Sequence, residues 1–567
     1  MFWQTKTSYE FGPFRVDARE RQLLRNGELV PLTPKVFDIL LVLAKSSGHI
    51  LSKDEIMKLV WPNTAVEAGN LARNISTLRK ARGERPRESQ FIETIPWRGH
   101  RFAANVREVR DRRAGSAIDS IAVLPFVNVA ADANLEYLSD GITESLIGSL
   151  SQLTHLNVMS RNSAFRYKGR DADAQTVGRE LNVQAVLMGR VAERDGLLSI
   201  SFELVDARDD SYIWGAQYNC QLADIFTMQQ TMAQEITEKL RLSLTNEEQQ
   251  RLARRQTQSA EAYHLYLKGR YHFNKLTMDG VQKAITHFEH AIEKDPQYAL
   301  AYTGLIDGSN YLGNSAAAKE AATKALELDQ TLGEAHASLA FHKWIYDWDF
   351  AAAEREFKQA LQLSPNYAEA HHWYALYLAN MGRHDEAAPL ATRAIELDPL
   401  SLLMNMTPAL TSYLARQYDR ATEALHKVID MEPNFVVARS VLGNVYAQKG
   451  MYDAAMAEYQ EVLKLSRGVS VVEAAMKAVI GHLCAKQGKK SKAQKILDEV
   501  SKEANVSPHS IAEIHAALGK RDSAFEWLKK ALEQRDMQMV SLKVNPTLDG
   551  LREDPRFADL VRRVGLP

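Results

Sequence analysis

Three prolines, Pro365, Pro399 and Pro433, stand 34 residues apart, closing Leu363-Ser364-Pro365, Leu397-Asp398-Pro399 and Met431-Glu432-Pro433. Glu293-Lys294-Asp295-Pro296 is an earlier member of the series. A period of this length holds two helices and a turn. Neither helix can bury its apolar face within one unit, so units must stack into a solenoid. Taking each proline as position 32 places Ala353, Ala387 and Ala421 at position 20. The next unit puts Leu442, Gly443, Tyr446, Ala455 and Tyr459 at 7, 8, 11, 20 and 24. Small residues at such points let paired helices pack closely. Six to eight units are expected over residues 259–545, with the unit at 297–331 and those after 468 irregular. Residues 546–567 read as a polar cap.

The first 106 residues follow other rules. Short β-type runs, Tyr9 to Val16, Gln22 to Arg25 and Glu28 to Leu32, come first, and Asn26-Gly27 is a hairpin turn. Thr33 offers an N-cap before Pro34, and a helix spans 34–46. Ser52 with Glu55 three residues on predicts a capped helix running to Trp61. A third helix is expected over 66–82. Leu71, Ile75, Leu78 and the stem of Arg82 share one face; Arg73, Ser76, Thr77 and Lys80 share the opposite one. Hydroxyls flanked by cations suit a major groove, where Arg and Lys read guanine. Arg79, Arg82, Arg85 and Arg87 extend the basic zone toward phosphates. Phe91 to Ile95 then reads as a strand, Pro96 to Gly99 as a turn, and His100-Arg101-Phe102 as its return. Residues 1–110 hold 19 Lys and Arg against 12 Asp and Glu, while the rest holds 51 against 59, so a basic head sits on an acidic body.

That closing stretch resembles the OmpR/PhoB-type winged-helix domain, whose pattern runs roughly Ile-x-Thr-Val-Arg-Gly-x-Gly-Tyr-Arg-Phe. Ile92, Thr94, Gly99, Arg101 and Phe102 match in register, Leu78-Arg79-Lys80-Ala81 matches the end of the family's recognition helix, and Leu51-Ser52 echoes the start of its second helix. Pro96, Trp97 and His100 depart from the pattern. The resemblance implies a recognition helix and a wing, with Arg73, Asn74, Ser76, Thr77, Arg79, Lys80, Arg98 and Arg101 as DNA-binding residues. It also implies a loop, Pro62 to Gly69, facing RNA polymerase.

Residues 107–117 are charged, lack apolar periodicity and read as a linker. From 118 to 245 the expected order is a strand at Ser120–Phe126, a helix at 140–152, a strand at Leu156–Ser160, a helix at 173–182, strands at Ala185–Ala192, Leu198–Asp206 and Tyr212–Tyr218, and a helix at 223–243. This is a layered α/β domain. Ile121-Ala122-Val123-Leu124-Pro125-Phe126, Ser160-Arg161, Gly189-Arg190-Val191, Trp214 and Asp224-Ile225-Phe226 resemble the TolB-N/FlgO-like domain of bacterial regulators and cyclase-like proteins. Gly141, Gly148 and Gly189 form no phosphate loop. Arg161, Arg166, Lys168 and Arg170 read as a solvated loop, with an anion pocket as the alternative. The 34-residue units resemble tetratricopeptide repeats, whose concave face grips peptides or ligands. His342, Tyr346, His372, Asn380, Tyr413 and Asn444, with Leu376, Met406 and Gln448, fall at groove-facing positions.

No GxSxG elbow or HExxH motif occurs, and Gly488-Lys489-Lys490-Ser491 lacks the first glycine of a phosphate loop. His336, His342, His371, His372 and His384 have no metal-site spacing, and Cys220 and Cys484 are far apart, so no metal, cofactor or disulfide is expected. No signal peptide, membrane-length apolar run or phospho-receiver is expected either. The expected architecture is a multidomain chain: an α+β winged helix, a central α/β domain and an all-α tetratricopeptide solenoid. The expected function is that of a cytoplasmic, non-enzymatic, sequence-specific transcription regulator of the one-component kind, similar to the CadC/ToxR and HilA type. It would bind double-stranded DNA as a pair of copies and sense an effector, peptide or partner protein through its body. The alternative is a repeat scaffold with a non-specific DNA anchor.

Overall fold

The computed structural model describes residues 7–567 except 12–13, 18–21, 26–27, 31, 49, 62–67, 82–90, 96–97, 104–105, 111–117, 130–132, 195–196, 222–223, 241, 243, 254–255, 276 and 504. They fall into two compact units, Met1–Ser116 and Ala117–Pro567.

The head runs β1 (Thr7–Phe11), β2 (Phe14–Asp17), β3 (Gln22–Arg25), β4 (Glu28–Val30), α1 (Pro34–Lys45), β5 (Ile50–Leu51), α2 (Lys53–Val60), α3 (Ala68–Ala81), β6 (Ile92–Ile95), β7 (Gly99–Phe102) and β8 (Arg107–Arg110). One sheet is ordered β4-β3-β2-β1-β8 and a second β5-β7-β6. The expected single run from Tyr9 to Val16 is two antiparallel strands, with Phe11 paired to Phe14. The inward positions reveal it afterwards: Tyr9 and Phe11, then Phe14 and Val16, are buried, so the period of two breaks at the sequence Gly12-Pro13. Arg107–Arg110, expected in a linker, form β8 against β1. Thr33 stands at the N-cap of α1, but its hydroxyl makes no capping bond. Ser52 and Glu55 do form the reciprocal capping box of α2, at 3.2 and 2.8 Å. The Asn26-Gly27 turn lies outside the described residues.

The second unit opens with β9 (Ser120–Val123), β10 (Val127–Asn128), α4 (Ala133–Ser151), β11 (Asn157–Val158), α5 (Arg161–Ala164), α6 (Ala174–Glu180), β12 (Ala185–Arg194), β13 (Leu197–Asp206), β14 (Ser211–Cys220), α7 (Ile225–Lys239) and α8 (Asn246–Ala253). The sheet order is β11-β9-β12-β13-β14, with β10 also on β12. Strands β11, β9 and β12 are parallel, and β12, β13 and β14 antiparallel. Helices α5 and α8, of four and eight residues, are absent from the sequence reading.

Eight helical hairpins follow among the described residues: α9 (Ala260–Phe273) with α10 (Met278–Lys294), α11 (Ala299–Tyr311) with α12 (Ser315–Leu328), α13 (Gly333–His342) with α14 (Phe350–Leu363), α15 (Ala368–Asn380) with α16 (His384–Leu397), α17 (Leu402–Leu414) with α18 (Tyr418–Met431), α19 (Val436–Gln448) with α20 (Tyr452–Leu465), α21 (Ser470–Lys486) with α22 (Lys490–Val500), and α23 (Pro508–Ala517) with α24 (Arg521–Glu533). Ala353, Ala387, Ala421 and Ala455 are fully buried at the helix crossings. A Cβ added to Gly443 would lie 2.3 Å from Tyr459, so the glycine is what admits that ring.

The α/β domain and the repeats share one apolar core. Ile142, Leu146, Met232 and Ile236 pack with Tyr263 and Leu267 of α9 and with Tyr298. Polar pins add to this at the proline turns. Asn366 donates to the carbonyls of Ser151, Leu153 and Leu156 at 3.2, 3.1 and 2.7 Å. Asp398 accepts from Ser163 Oγ at 2.6 Å and Asn162 at 3.2 Å, and Ser160 N donates to Leu397 O at 3.0 Å. The chain ends in α25 (Pro555–Val564). This end, expected as a polar cap, exposes Arg562 and Arg563 and buries Phe557, Leu560 and Val564 in the same cluster as Trp344, Phe350 and Tyr377 of the middle repeats. Arg416 clasps Asp549 at 2.6 Å across the join. The solenoid therefore winds until its end packs on its middle.

Candidate nucleic-acid interface

Helix α3 is amphipathic in the required sense. Leu71, Ile75 and Leu78 are buried at no more than 2% exposure, while Arg73, Ser76 and Thr77 face solvent. The Thr77 hydroxyl donates back to Arg73 O at 3.1 Å, and Asn74 donates to Asn70 O at 2.8 Å, so both side chains hold defined rotamers along the helix. Lys80 lies on α3, but its side chain is outside the described residues, as are Arg82, Arg85, Arg87, Pro96, Trp97 and residues 62–67 of the loop expected to face RNA polymerase.

Strands β6 and β7 form the wing, with Ile92 opposite Phe102 and Ile95 opposite Gly99. Gly99 has φ 137°, and a Cβ there would lie 2.0 Å from Leu51 O. The glycine is thus what lets β7 run against β5. Phe11, Phe14, Phe91 and Phe102 stack edge and face beneath the hairpin, with centroids 4.9 to 5.8 Å apart.

Two of the expected DNA-binding cations have structural partners. Arg79 Nη2 reaches from α3 to Ile92 O at 2.7 Å and to Thr94 Oγ1 at 3.0 Å. Thr94 Oγ1 also lies 3.2 Å from Nδ1 of the buried His100. Burial, with Arg79 and Lys53 nearby, pushes the His100 pKa down. A neutral ring then accepts from Thr94 through Nδ1, and the three side chains tie the recognition helix to the wing. Arg101 is held by Glu93 on the neighbouring strand at 2.5 Å. Arg98, at the wing turn, is exposed. The bracing roles of Glu93, Thr94 and His100 are absent from the sequence reading. Thr94 and Arg101 carry a family pattern, but only the strand register shows them facing Arg79 and Glu93.

The body places its expected groove residues differently from one another. His372 is 1% exposed, with Nδ1 2.6 Å from Thr407 Oγ1, and burial pushes its pKa down to about 4. His342 is buried against Tyr346, and Asn380 is buried and donates to Leu376 O. Asn444 accepts from Tyr459 at 2.8 Å, and Tyr413 packs on Tyr418. Met406 is buried in the core of its own repeat. Of this set, Tyr346 lines a cavity. The loop carrying Arg161, Arg166, Lys168 and Arg170 is neither wholly solvated nor an anion pocket. Arg161 pairs with Glu144 at 3.1 Å, and Lys168 with Asp140 and Glu136 at 2.6 Å each. Gly141 and Gly189 serve packing, being covered by Leu267 and Phe126. No helix among the described residues is long and apolar enough to cross a membrane.

A recognition helix clamped to a wing, on a helical-repeat body, defines a winged-helix DNA-binding protein. Residues 27–102 match the family described as transcriptional regulatory protein, C terminal. Residues 116–238 match the second domain of HilA/YgeH-like transcriptional regulators, and residues 349–401 and 413–479 match tetratricopeptide repeats. The head is an OmpR/PhoB-type DNA-binding domain, and the domain set is that of a DNA-binding transcriptional regulator. The transcriptional regulator HilA of Salmonella typhimurium is 23% identical over 70% of this chain and 72% of its own. A putative adenylate cyclase 3 of Rhizobium meliloti is 36% identical over 33% of this chain, which spans only 32% of that relative. The solved DNA-binding domain of Escherichia coli CadC is 31% identical over 18% of this chain and 96% of its own, with a TM-score of 0.17.

Proposed function

We propose that the protein is a one-component, sequence-specific transcription regulator that carries out no catalytic step and works in the cytoplasm. Helix α3 enters the major groove, where Arg73, Ser76 and Thr77 meet base edges. Lys80 and Arg98 meet phosphates, while Asn74, Arg79 and Arg101 fix the face and add charge beside it. Two copies occupy repeated half-sites, and the 62–69 loop meets RNA polymerase. The α/β domain and the repeats, over 118–545, sense an effector or partner protein and shift the population of the binding-competent state. The observation that carries the reading is the exposed Arg73, Ser76 and Thr77 strip on a helix that Arg79 bolts to the wing.

The test is sequencing of genomic fragments captured by the full-length protein at near-physiological salt, beside an Arg73→Ala/Thr77→Ala variant. Sharp peaks sharing a motif and lost in the variant are expected. Each lost base contact weakens the specific site by about 1–3 kcal/mol. A flat profile, unchanged by the variant and by deletion of the body, refutes specific reading and leaves the repeat scaffold with a non-specific anchor.

A further inference from the structure

Helices α11, α13 and α15 enclose a cavity of about 260 Å³. This is slightly smaller than the roughly 300–1,000 Å³ of drug-sized pockets. One wall is aromatic: Phe341, Tyr346, Tyr367 and Trp373, with the Phe341 and Trp373 rings 4.6 Å apart. Facing it are two carboxylates, Asp307 and Glu334, with Thr303, Asn310 and Ser338 beside them.

The carboxylates are differently placed. Asp307 is bound by Arg270 Nη1 at 2.5 Å, and the same guanidinium binds Glu144 of α4 at 2.5 Å. Glu144 in turn holds Arg161 at 3.1 Å. Those four groups balance in charge. Glu334 is half-buried in the cavity wall and has no ion pair or side-chain donor among the described residues. Its pKa is raised, first by burial; its own backbone N–H and Arg270 oppose this, and Asp307 adds to it. Glu369, one repeat further, is likewise raised, to about 7, by burial and by Asp398, Asp307 and Glu334. The cavity therefore presents a carboxyl without a cationic partner beside stacked aromatic faces. Aromatic faces attract organic cations through the ring quadrupole, and a half-buried carboxylate without a partner gains from a counter-charge. A metal ion would leave the aromatic wall unused, and no group of three or more metal-ligating residues occurs among the described residues.

We propose that this cavity binds a small organic cation, a primary amine whose ammonium sits at Glu334 and Asp307 and whose carbon chain lies on the Phe341, Tyr346, Tyr367 and Trp373 wall. The binding itself stands on the cavity alone; its consequence for DNA rests on the effector-sensing reading above. An ammonium at Asp307 competes with Arg270 for that carboxylate. It thereby reaches Glu144 and Arg161 in the α/β domain through three successive ion pairs.

Calorimetric titration of the full chain with n-butylamine, 1,4-diaminobutane and 2-phenylethylamine tests this, with 1,4-butanediol and magnesium as controls. Saturable binding of at least one amine and none of the diol is expected. Glu334→Gln should weaken it by about ten- to a hundredfold, the loss of one charge-assisted hydrogen bond. Ser338→Leu should abolish it by filling the space, and Glu423→Gln, on the exposed face of α18, should leave it unchanged. Folding of each variant is checked by its melting curve. No amine binding at millimolar concentration, equal binding by Glu334→Gln, or equal binding of the diol or of magnesium overturns the proposal. Amine binding that leaves DNA affinity unchanged upholds the cavity and refutes the sensing reading.

Discussion

Replacing Asn366 with alanine should loosen the α/β domain from the repeats. Asn366 is 5% exposed, and its Nδ2 lies within 3.2 Å of three carbonyl oxygens in the stretch that leaves α4. Its Oδ1 accepts from Arg393 at 3.0 Å, and Arg393 also donates to Asn157 Oδ1. An amide has two N–H groups, so two carbonyls are well served and the third shares. Truncation leaves those carbonyls buried without a donor. At about 1–3 kcal/mol for each of the two well-served carbonyls, the loss comes to about 2–6 kcal/mol. Asn366→Asp should cost more, because a carboxylate would face three carbonyl oxygens. Chemical denaturation gives the total, and hydrogen exchange places it, with protection lost over 151–157 and 363–367 before the rest of the body. A stability within about 0.5 kcal/mol of the parent, the usual scatter of surface changes, would mean that the apolar core between α4 and α9 holds the two domains unaided. The pin would then be incidental.

Glu369→Gln should stabilise the protein at high pH. The carboxyl is raised from 4.5 to about 7, chiefly by burial and then by Asp398, so its ionised form is disfavoured in the folded state. A raised folded pKa means stability that is full below the unfolded value and is lost as pH climbs through about 7. The shift is worth at most about 3 kcal/mol, less where water reaches the groove, so about 1–3 kcal/mol is expected at pH 8 and nothing at pH 4. Denaturation curves at the two pH values check it, and an equal effect at both would refute the burial argument. Phe557→Ala should detach the C-terminal helix, since Phe557 is 4% exposed in the cluster with Trp344 and Phe350. The expected loss is about 3–5 kcal/mol, read as new protease sensitivity over 546–567; unchanged cleavage would show that α25 is held by its neighbours.

The head and the repeat were legible because each writes its geometry into local spacing. A wing needs Gly99 where β7 meets Leu51, and a hairpin needs Gly443 where Tyr459 crosses, so a residue type reports a distance. The joins were not legible, because they depend on where a turn lies and not on what it is. Asn366 and Asp398 sit in proline turns of the same register as Glu432 and Asn434. The first two are buried against the α/β domain, and the other two are exposed. Likewise the tail reads only as a polar cap, although Phe557, Leu560 and Val564 share one face at spacings of three and four. The groove residues were chosen by repeat position, which fixes the side of a helix a residue occupies. It does not say whether the next repeat covers it, as Thr407 meets His372.

These joins bear on how a body of this kind can signal. An open solenoid flexes as a spring, because each repeat touches only its neighbours. Here Asn366 and Asp398 fasten the α/β domain to two successive turns, and the buried cluster of Phe557, Leu560 and Val564 with Trp344 and Phe350 fastens the end to the middle. Smooth bending is then opposed at both places, so a ligand of the proposed kind would have to act by choosing between discrete packings. Moving such an equilibrium from 1:99 to 99:1 takes about 10⁴-fold preference for one state, or about 5.5 kcal/mol. Contacts with water-exposed side chains supply little of that. The chain Arg161, Glu144, Arg270, Asp307 can supply more, because its inner members are largely withdrawn from water and each shares a partner with the next. Removing one partner there leaves a buried charge unmatched, at about 3–5 kcal/mol. The reach from the cavity to the α/β domain is therefore set by ion pairs whose rearrangement is of the size a switch needs.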